Sequence, residues 1–402
     1  MGRELAAYLK PGRIGALTLA NRIVRAATSE SMADADGAVN DALVTLYRDL
    51  GRGGAGMIIT GHIYVEQRGQ YTPMQIGIDR DELVPGLRRL TDAVHDSGGV
   101  VFAELAHAGS QSLMPDVEPI APSVIPNAIF SRQPREMDEG DIAAAIESFG
   151  AAAKRAVDAG FDGIHIHGGN GYLISEFCSP HANRRSDRWG NDAVGRGRFF
   201  GAVYDAIRQA VGAEFPVTAR IGIADTVPDG LDISEGVERA QDLAARGIDG
   251  LETTYGVMTS YLENIRPYVA VTAARAFTSG LVPRLYAPAG PEAYYRKFAR
   301  AVKQAVDVPV ILVGGIRTTG TMHELIESGD TDFVAMARPF IREPDIARQI
   351  AGGRRGMVDC VSCNICLMHD GTDPVRCWRK RLRDLAFHAY CRFWRDRQPS
   401  SL

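Results

Sequence analysis

Eight short apolar runs, each about the length of a β-strand, recur along the 402-residue chain, with room for a helix between most neighbours. They are RIVRAAT at 22–28, GMIITGHI at 56–63, VVFAELAH at 100–107, GIHIHG at 163–168, PVTARIG at 216–222, GLETTYG at 250–256, PVILVGG at 309–315 and FVAMARP at 333–339. Such near-continuous apolar character implies burial on both faces, as in a parallel sheet wrapped by helices. The intervening segments carry the matching signal. Across 141–160 the residues Ile142, Ala145, Ile146, Phe149, Ala152, Ala153, Ala156 and Val157 fall at three- and four-residue spacing, and Gly160 follows as a C-cap. Residues 81–98, 197–211, 232–246, 291–306 and 321–328 behave alike. Strand–helix units in this number predict an α/β fold of the closed (β/α)8, TIM-barrel type. The rival, an open doubly wound sheet, wants a Gly-rich turn after its first strand. RAATSE supplies none, and no GxGxxG follows any strand.

The barrel is expected over residues 1–350, with a Cys-rich extension and a basic helical tail over 351–402. A net charge of −4 argues against a nucleic-acid partner. No apolar run approaches the roughly 20 residues that span a bilayer. The N-terminal MGRELAAYLKPGRIGALTLANR has no signal-peptide core. The expectation is a soluble, cytoplasmic protein with no membrane partner. Two stretches break the repeat: the Pro-rich 109–140 and the segment 257–290, each either a wall of the pocket or outer decoration.

In a parallel barrel the functional face is where the strands end. There the sequence places Thr28, Ser29 and Glu30, His62, Glu104 and His107, His167 and Asn170, Arg220, Thr254 and Tyr255, Gly314 and Gly315, and Ala337 and Arg338. Gly314, Gly315, Ala337 and Arg338 end the last two strands, a common phosphate position in barrels; the bland alternative is a tight turn with a surface arginine. Arg220 suits an electron-rich ring such as a reduced flavin, or else an internal salt bridge, for example with Glu104. His167 and Asn170 are two donors three residues apart, able to polarise a carbonyl. Tyr172 stands ready to protonate the carbon alpha to it. His165 faces the same way by the period of two and is a second candidate. Either histidine can instead be satisfied by a purely structural hydrogen bond.

NRIVRAATSE, HIHGGNGYLISEFCSPHANRRSDRWG, APSVIP…PREM, VGGIRT and ARPFIREPD, in that order, resemble the Old Yellow Enzyme family of FMN-dependent ene-reductases over roughly residues 10–350. The resemblance implies an FMN-bearing barrel that oxidises NADH or NADPH and reduces an activated alkene. It implies His167 and Asn170 as the carbonyl-binding pair and Tyr172 as the proton donor. Arg220 then faces the flavin pyrimidine, Gly314, Gly315, Ala337 and Arg338 surround the phosphate, and Ser29 sits beside flavin O4, with Ala27 and Thr28 adjoining. Glu104 stands where the family usually has Gln, His62 where a small residue lines the flavin, and Arg25 and Ala27 replace the more usual Met and Pro. These departures bear on substrate preference.

Of six cysteines, Cys360, Cys363, Cys366 and Cys377 form C-x2-C-x2-C-x10-C. The spacing suits a four-thiolate site, either a [4Fe–4S] cluster or zinc; metal-free thiols are the third option. Cys178 is expected to pack as a small apolar residue. The tail resembles that of 2,4-dienoyl-CoA reductase and trimethylamine dehydrogenase, which implies a cluster exchanging electrons with an electron-transfer flavoprotein partner. The helical end WRKRLRDLAFHAYCRFWRDRQP can dock on the barrel, meet a partner or pair subunits, and a homo-oligomer is expected. The function expected is hydride transfer from NAD(P)H through FMN to the β-carbon of an enone, enal or unsaturated thioester. The alternatives are an oxidative demethylase or amine dehydrogenase, an electron-transfer subunit, and a flavin-free barrel that binds a phosphorylated sugar.

Overall fold

A computed structural model of the chain describes residues 5–127, 132–259, 292–369, 371 and 373–393. In chain order the strands are β1 (Gly12–Ile14), β2 (Leu17–Leu19), β3 (Ile23–Arg25), β4 (Met57–Tyr64), β5 (Val101–Ala106), β6 (Ile120–Ala121), β7 (Arg135–Glu136), β8 (Gly163–Gly168), β9 (Val217–Ala224), β10 (Gly250–Tyr255), β11 (Val310–Val313) and β12 (Phe333–Met336). The helices are α1 (Asp41–Gly51), α2 (Val84–His95), α3 (Glu139–Asp158), α4 (Leu173–Cys178), α5 (Ala193–Val211), α6 (Ile233–Ala245), α7 (Arg296–Lys303), α8 (Thr319–Glu327), α9 (Arg338–Arg342), α10 (Ile346–Ala351) and α11 (Leu382–Phe393).

Strands β3, β4, β5, β8, β9, β10, β11 and β12 pair in parallel and close into one barrel. These are the eight apolar runs read from the sequence. The antiparallel hairpin β1–β2 and helix α1 were not anticipated. Helix α1 lies between the first two barrel strands; its signals are Asn40, which caps it by accepting from Leu43 N at 3.1 Å, and the apolar face Leu43, Val44, Tyr47 and Leu50.

Capping fixes where the helices start. Asp138 accepts from Asp141 N at 2.8 Å, and Asp141 returns a bond to Asp138 N at 3.1 Å, so a reciprocal capping box opens α3. Asp192, Asp232 and Thr318 cap α5, α6 and α8. Each such cap contributes about 1 kcal/mol. Gly160 follows α3 at φ 82°, the left-handed position a C-terminal glycine serves. The buried face of α3 carries Ile142, Ala145, Phe149, Ala152, Ala153 and Ala156. Cys178 is buried in the main core, as a small apolar residue.

The excursion after β5 packs back on the barrel. A short 3-10 turn, Gly109–Gln111, precedes the paired β6 and β7. The turn is anchored by Glu176 of α4, whose Oε1 accepts from Ser110 N at 3.1 Å and from Ser110 Oγ. The second excursion, apart from residues 257–259, lies outside the described residues, as does the end of the basic tail; what is described of that tail is α11.

Two expectations follow. A Cβ placed on Gly56, at the entry to β4, would lie 2.1 Å from the backbone oxygen of Asn21. Gly56→Ala is therefore expected to lower stability by about 2–4 kcal/mol in denaturant titration, since backbone on both sides must shift. Burial pushes the Glu176 carboxyl up to about 8. Between the ordinary carboxylate range and that value the folded chain holds a proton that the unfolded chain has released. Stability contributed by this group therefore falls as pH rises, and the loss is complete above about 8. Relative to Glu176→Gln, the wild type is expected to lose on the order of 1 kcal/mol per pH unit between about pH 5 and 8, read from melting curves.

Candidate active site

The C-terminal ends of the barrel strands open into one cavity. The residues expected there to hold cofactor or substrate line it, the second candidate His165 excepted. Ala27, Thr28 and Ser29 come from the segment after β3, His62 from β4, Glu104 from β5 and Arg220 from β9. His167, Asn170 and Tyr172 come from the end of β8 and its loop, and Gly314, Gly315, Ala337 and Arg338 follow β11 and β12.

The sequence HIHGGNGY now has a local explanation. A Cβ on Gly168 would meet the Arg220 carbonyl oxygen at 2.7 Å, so only glycine lets β9 pass. Asn170 adopts φ 59° and Gly171 φ 76°, reversing the chain. The turn is pinned from both sides: Asn170 N donates to Tyr255 O at 2.8 Å, and Gln111 Nε2 donates to Asn170 O at 2.9 Å. Asn170 Nδ2 donates to Thr254 Oγ1 at 3.2 Å. Tyr172 then emerges beside His167, their ring centroids 4.4 Å apart, with His62 at 5.6 Å and Tyr71 at 5.9 Å from the tyrosine ring. His167 is buried, and burial with the Arg220 charge pushes its pKa well down, so it is a neutral imidazole. Its Nδ1 is buried with no hydrogen-bond partner among the described residues.

His165 is corrected. It shares the interior face with His167 but sits two residues deeper, outside the cavity wall. Its Nδ1 pairs with Thr218 Oγ1 at 2.8 Å and its Nε2 lies 3.6 Å from Glu252 Oε2, so it is the structural histidine of the pair. Glu30, His107 and Tyr255 also turn away from the cavity. Glu30 accepts from Tyr47 OH and from Gly61 N at 2.7 Å; His107 bonds Glu66 at 2.8 Å; Tyr255 packs edge-on to Tyr295 at 5.3 Å. Arg25 is not a substrate determinant by contact. It is buried, donates to the Ile59 carbonyl and lies 3.6 Å from Glu30.

The principal partner of Arg220 is a residue the sequence reading missed. Its Nε and NH2 donate to Glu252 Oε1 at 3.1 and 2.8 Å, while NH1 stands 3.7 Å from Glu104 Oε1. Glu252 lies within an apolar run and gave no signal but its charge. Burial pushes the Glu104 carboxyl up to about 8, against the pull of Arg220 and with the help of the Glu252 charge.

Gly314 and Gly315 take φ 118° and 76°. The Tyr294 ring lies against both, so a side chain there has no space. Tyr294 and Tyr295, just before α7, were not anticipated as lining residues. Arg338 donates to Asn364 Oδ1, joining this corner to the extension.

The extension itself returns to the cavity. Val375 N donates to Glu30 O at 2.8 Å and Gly371 N to Ser31 Oγ at 2.9 Å, which brings His369 and Asp373 into the cavity wall. His369 stacks on Trp378 at 3.8 Å and bonds Asp373 at 2.8 Å and His388 at 2.9 Å. Only the four-residue spacing of His369 and Asp373 hinted at this. Cys360, Cys363, Cys366 and Cys377 line a neighbouring cavity with Arg338 and Arg342. Burial pushes the Cys360 and Cys366 thiols up. Among the described residues no group of three or more His, Cys, Asp or Glu is arranged to hold a metal ion. The four thiols expected to form one site share a single cavity wall. Among the described residues no helix is long and apolar enough to cross a membrane.

Comparison with known proteins agrees with this geometry. Residues 8–356 match the NADH:flavin oxidoreductase / NADH oxidase family. The chain is 34% identical over 385 residues to 4,4'-dithiodibutanoate disulfide reductase of Rhodococcus erythropolis, covering 91% of this chain and 94% of that one. It is 34% identical over 360 residues to NADH oxidase of Thermoanaerobacter brockii, covering 88% of this chain but 52% of that one. Histamine dehydrogenase from Rhizobium sp. 4-9 superposes with a TM-score of 0.79 at 26% identity, covering 93% of this chain and 52% of that one. The chain thus spans about half the length of some relatives and nearly all of another. With the closed barrel and the polar rim described above, the chain belongs to the NADH:flavin oxidoreductase / NADH oxidase family, the Old Yellow Enzyme group.

Proposed function

We propose that this chain is an FMN-dependent ene-reductase that uses NAD(P)H to deliver hydride to the β-carbon of an activated alkene. The observation that carries the reading is the gathering of His167, Asn170 and Tyr172 in one cavity with Arg220 and the Gly314–Gly315–Arg338 corner. FMN fits this cavity on the chemistry present. The buried Glu104 Oε1 and His167 Nδ1 make no hydrogen bond among the described residues, so polar capacity is held in reserve. Gly314 and Gly315, both at positive φ, line the same cavity as Arg338, whose guanidinium suits a phosphate. The residues that would hold the cofactor are Ala27, Thr28, Ser29, His62, Glu104, Arg220, Gly314, Gly315, Ala337 and Arg338. Bound FMN supplies the hydride transfer from NAD(P)H to the acceptor.

The chain's own residues do the rest. His167, neutral and so an N–H donor without charge, and Asn170 donate to the acceptor's carbonyl oxygen and stabilise the negative charge that grows there. Tyr172 gives its phenolic proton to the alpha carbon and recovers one from solvent. The balance is alkene, NAD(P)H and one proton to saturated product and NAD(P)+. His62 and Tyr71 pack against the Tyr172 ring and hold it in place beside the acceptor.

A second acceptor class is favoured by the Rhodococcus relative, which matches this chain nearly end to end and is named for a disulfide substrate. An organic disulfide would take the same hydride and a proton to give two thiols, with a carboxylate or carbonyl held by His167 and Asn170. The same reading divides the chain into a barrel over 1–350 and an extension over 351–402. It places the extension with the dienoyl-CoA reductase and trimethylamine dehydrogenase branch. It assigns Cys360, Cys363, Cys366 and Cys377 to a [4Fe–4S] cluster serving an electron-transfer flavoprotein partner, and expects a homo-oligomer. Four thiols on one cavity, with Arg338 and Arg342 facing them, are a donor set suited to such a cluster.

Anaerobic NAD(P)H is expected to bleach the bound flavin, and cyclohexenone or 4,4'-dithiodibutanoate to restore its colour. A flavin that an amine reduces and NAD(P)H does not would overturn the reading. Changing both His167 and Asn170 to Ala is expected to abolish the charge-transfer band formed with phenols while FMN stays bound. Tyr172→Phe is expected to slow enone reduction by about 100-fold or more and leave flavin reduction unchanged in stopped flow. Anaerobically purified protein is expected to contain about four irons per chain; one zinc without iron overturns the cluster.

A further inference from the structure

The floor of the cavity holds an uneven set of charges. Glu104 and Glu252, both almost wholly buried, face the single guanidinium of Arg220, at 3.7 and 2.8 Å. Ionised together they would leave a net negative charge among buried groups. Neighbouring elements offer no remedy. Strand β8 presents His165 and His167, both buried and pushed well down, hence neutral. From β4, His62 pairs across from Glu104 in the sheet and its Nδ1 meets Gln75 at 2.7 Å. From β3, Arg25 is committed to the Ile59 carbonyl and to Glu30, which adds a further carboxylate bound by Tyr47 of α1. Of the two carboxyls, Glu252 has the direct ion pair, while Glu104 Oε1 has no hydrogen bond among the described residues.

We propose that Glu104 carries a proton at neutral pH and that this proton is part of the cofactor cradle, so that FMN affinity falls when it is lost. The inference rests on the FMN reading above. A neutral carboxyl offers one donor and one acceptor, the set a primary amide offers. The flavin pyrimidine edge alternates carbonyl oxygens with an N–H and can use both. A carboxylate only accepts, and it sets a second negative charge against those carbonyl oxygens. Burial holds the Glu104 carboxyl up to about 8, so its proton is retained below that pH and lost above it. Glu104 is a binding residue of the cradle, and the carboxyl takes no part in transferring hydride.

The test is flavin affinity against pH, read from fluorescence quenching on binding to the flavin-stripped chain, with FMN and with riboflavin, which has no phosphate to titrate. In the wild type both flavins are expected to bind evenly from pH 6 to 7.5 and about tenfold more weakly at pH 9 than at pH 7. Glu104→Gln is expected to bind evenly over the whole range. Glu252→Gln frees Arg220 for Glu104 and is expected to start the fall at lower pH, so it keeps the test open should Glu104→Gln fail to fold. Tight binding that does not vary with pH in the wild type, or an alkaline fall retained in Glu104→Gln, overturns this inference alone. No flavin binding at any pH overturns the FMN reading and this inference with it.

Discussion

The architecture depends on one seam. The last barrel strand pairs with the first, Val334 opposite Ile23, Ala335 opposite Val24 and Met336 opposite Arg25. This pairing joins residues more than 300 positions apart and converts an open sheet with two raw edges into a barrel with none. It also sets Ala27–Ser29 beside Ala337–Arg338. Because every strand in the barrel runs the same way, all the strand ends reach one rim, and their polar residues face one cavity.

Below that rim the barrel is not uniformly apolar. A buried guanidinium, two buried carboxyls and two neutral histidines occupy the layer between the hydrophobic floor and the cavity. Buried charge of this kind does little for stability once desolvation is counted. What it does offer is a fixed electrostatic field at the wall of the cavity. A second buried node, Arg25, Glu30 and Tyr47, braces the segment that carries Thr28 and Ser29.

The extension belongs to the same unit. It hydrogen-bonds to the segment after β3, engages Arg338 through Asn364, and adds His369 and Asp373 to the cavity wall. Four of its cysteines line a cavity that shares Arg338 with the strand-end cavity, and Cys366 lines both.

Much of this could be read from the chain by itself. The eight strands were legible because burial on both faces leaves an uninterrupted apolar run, and the barrel followed because helices alternate with them. The lining residues were legible because a parallel barrel sends strand ends to one rim. The hairpin β1–β2, three residues to a strand, is too short to leave a pattern, whereas helix α1 does carry one, Leu43, Val44, Tyr47 and Leu50 at three- and four-residue spacing, that the sequence reading missed. The role of Arg25, the depth of His165 and the pairing of Arg220 with Glu252 could not be read either. Residue types and spacing determine which side chains are available and on which face they lie. How deep each sits, and which opposite charge it meets, is decided only when strands distant in sequence are brought within a few ångströms, because desolvation and Coulomb energy depend on distance in space and not along the chain.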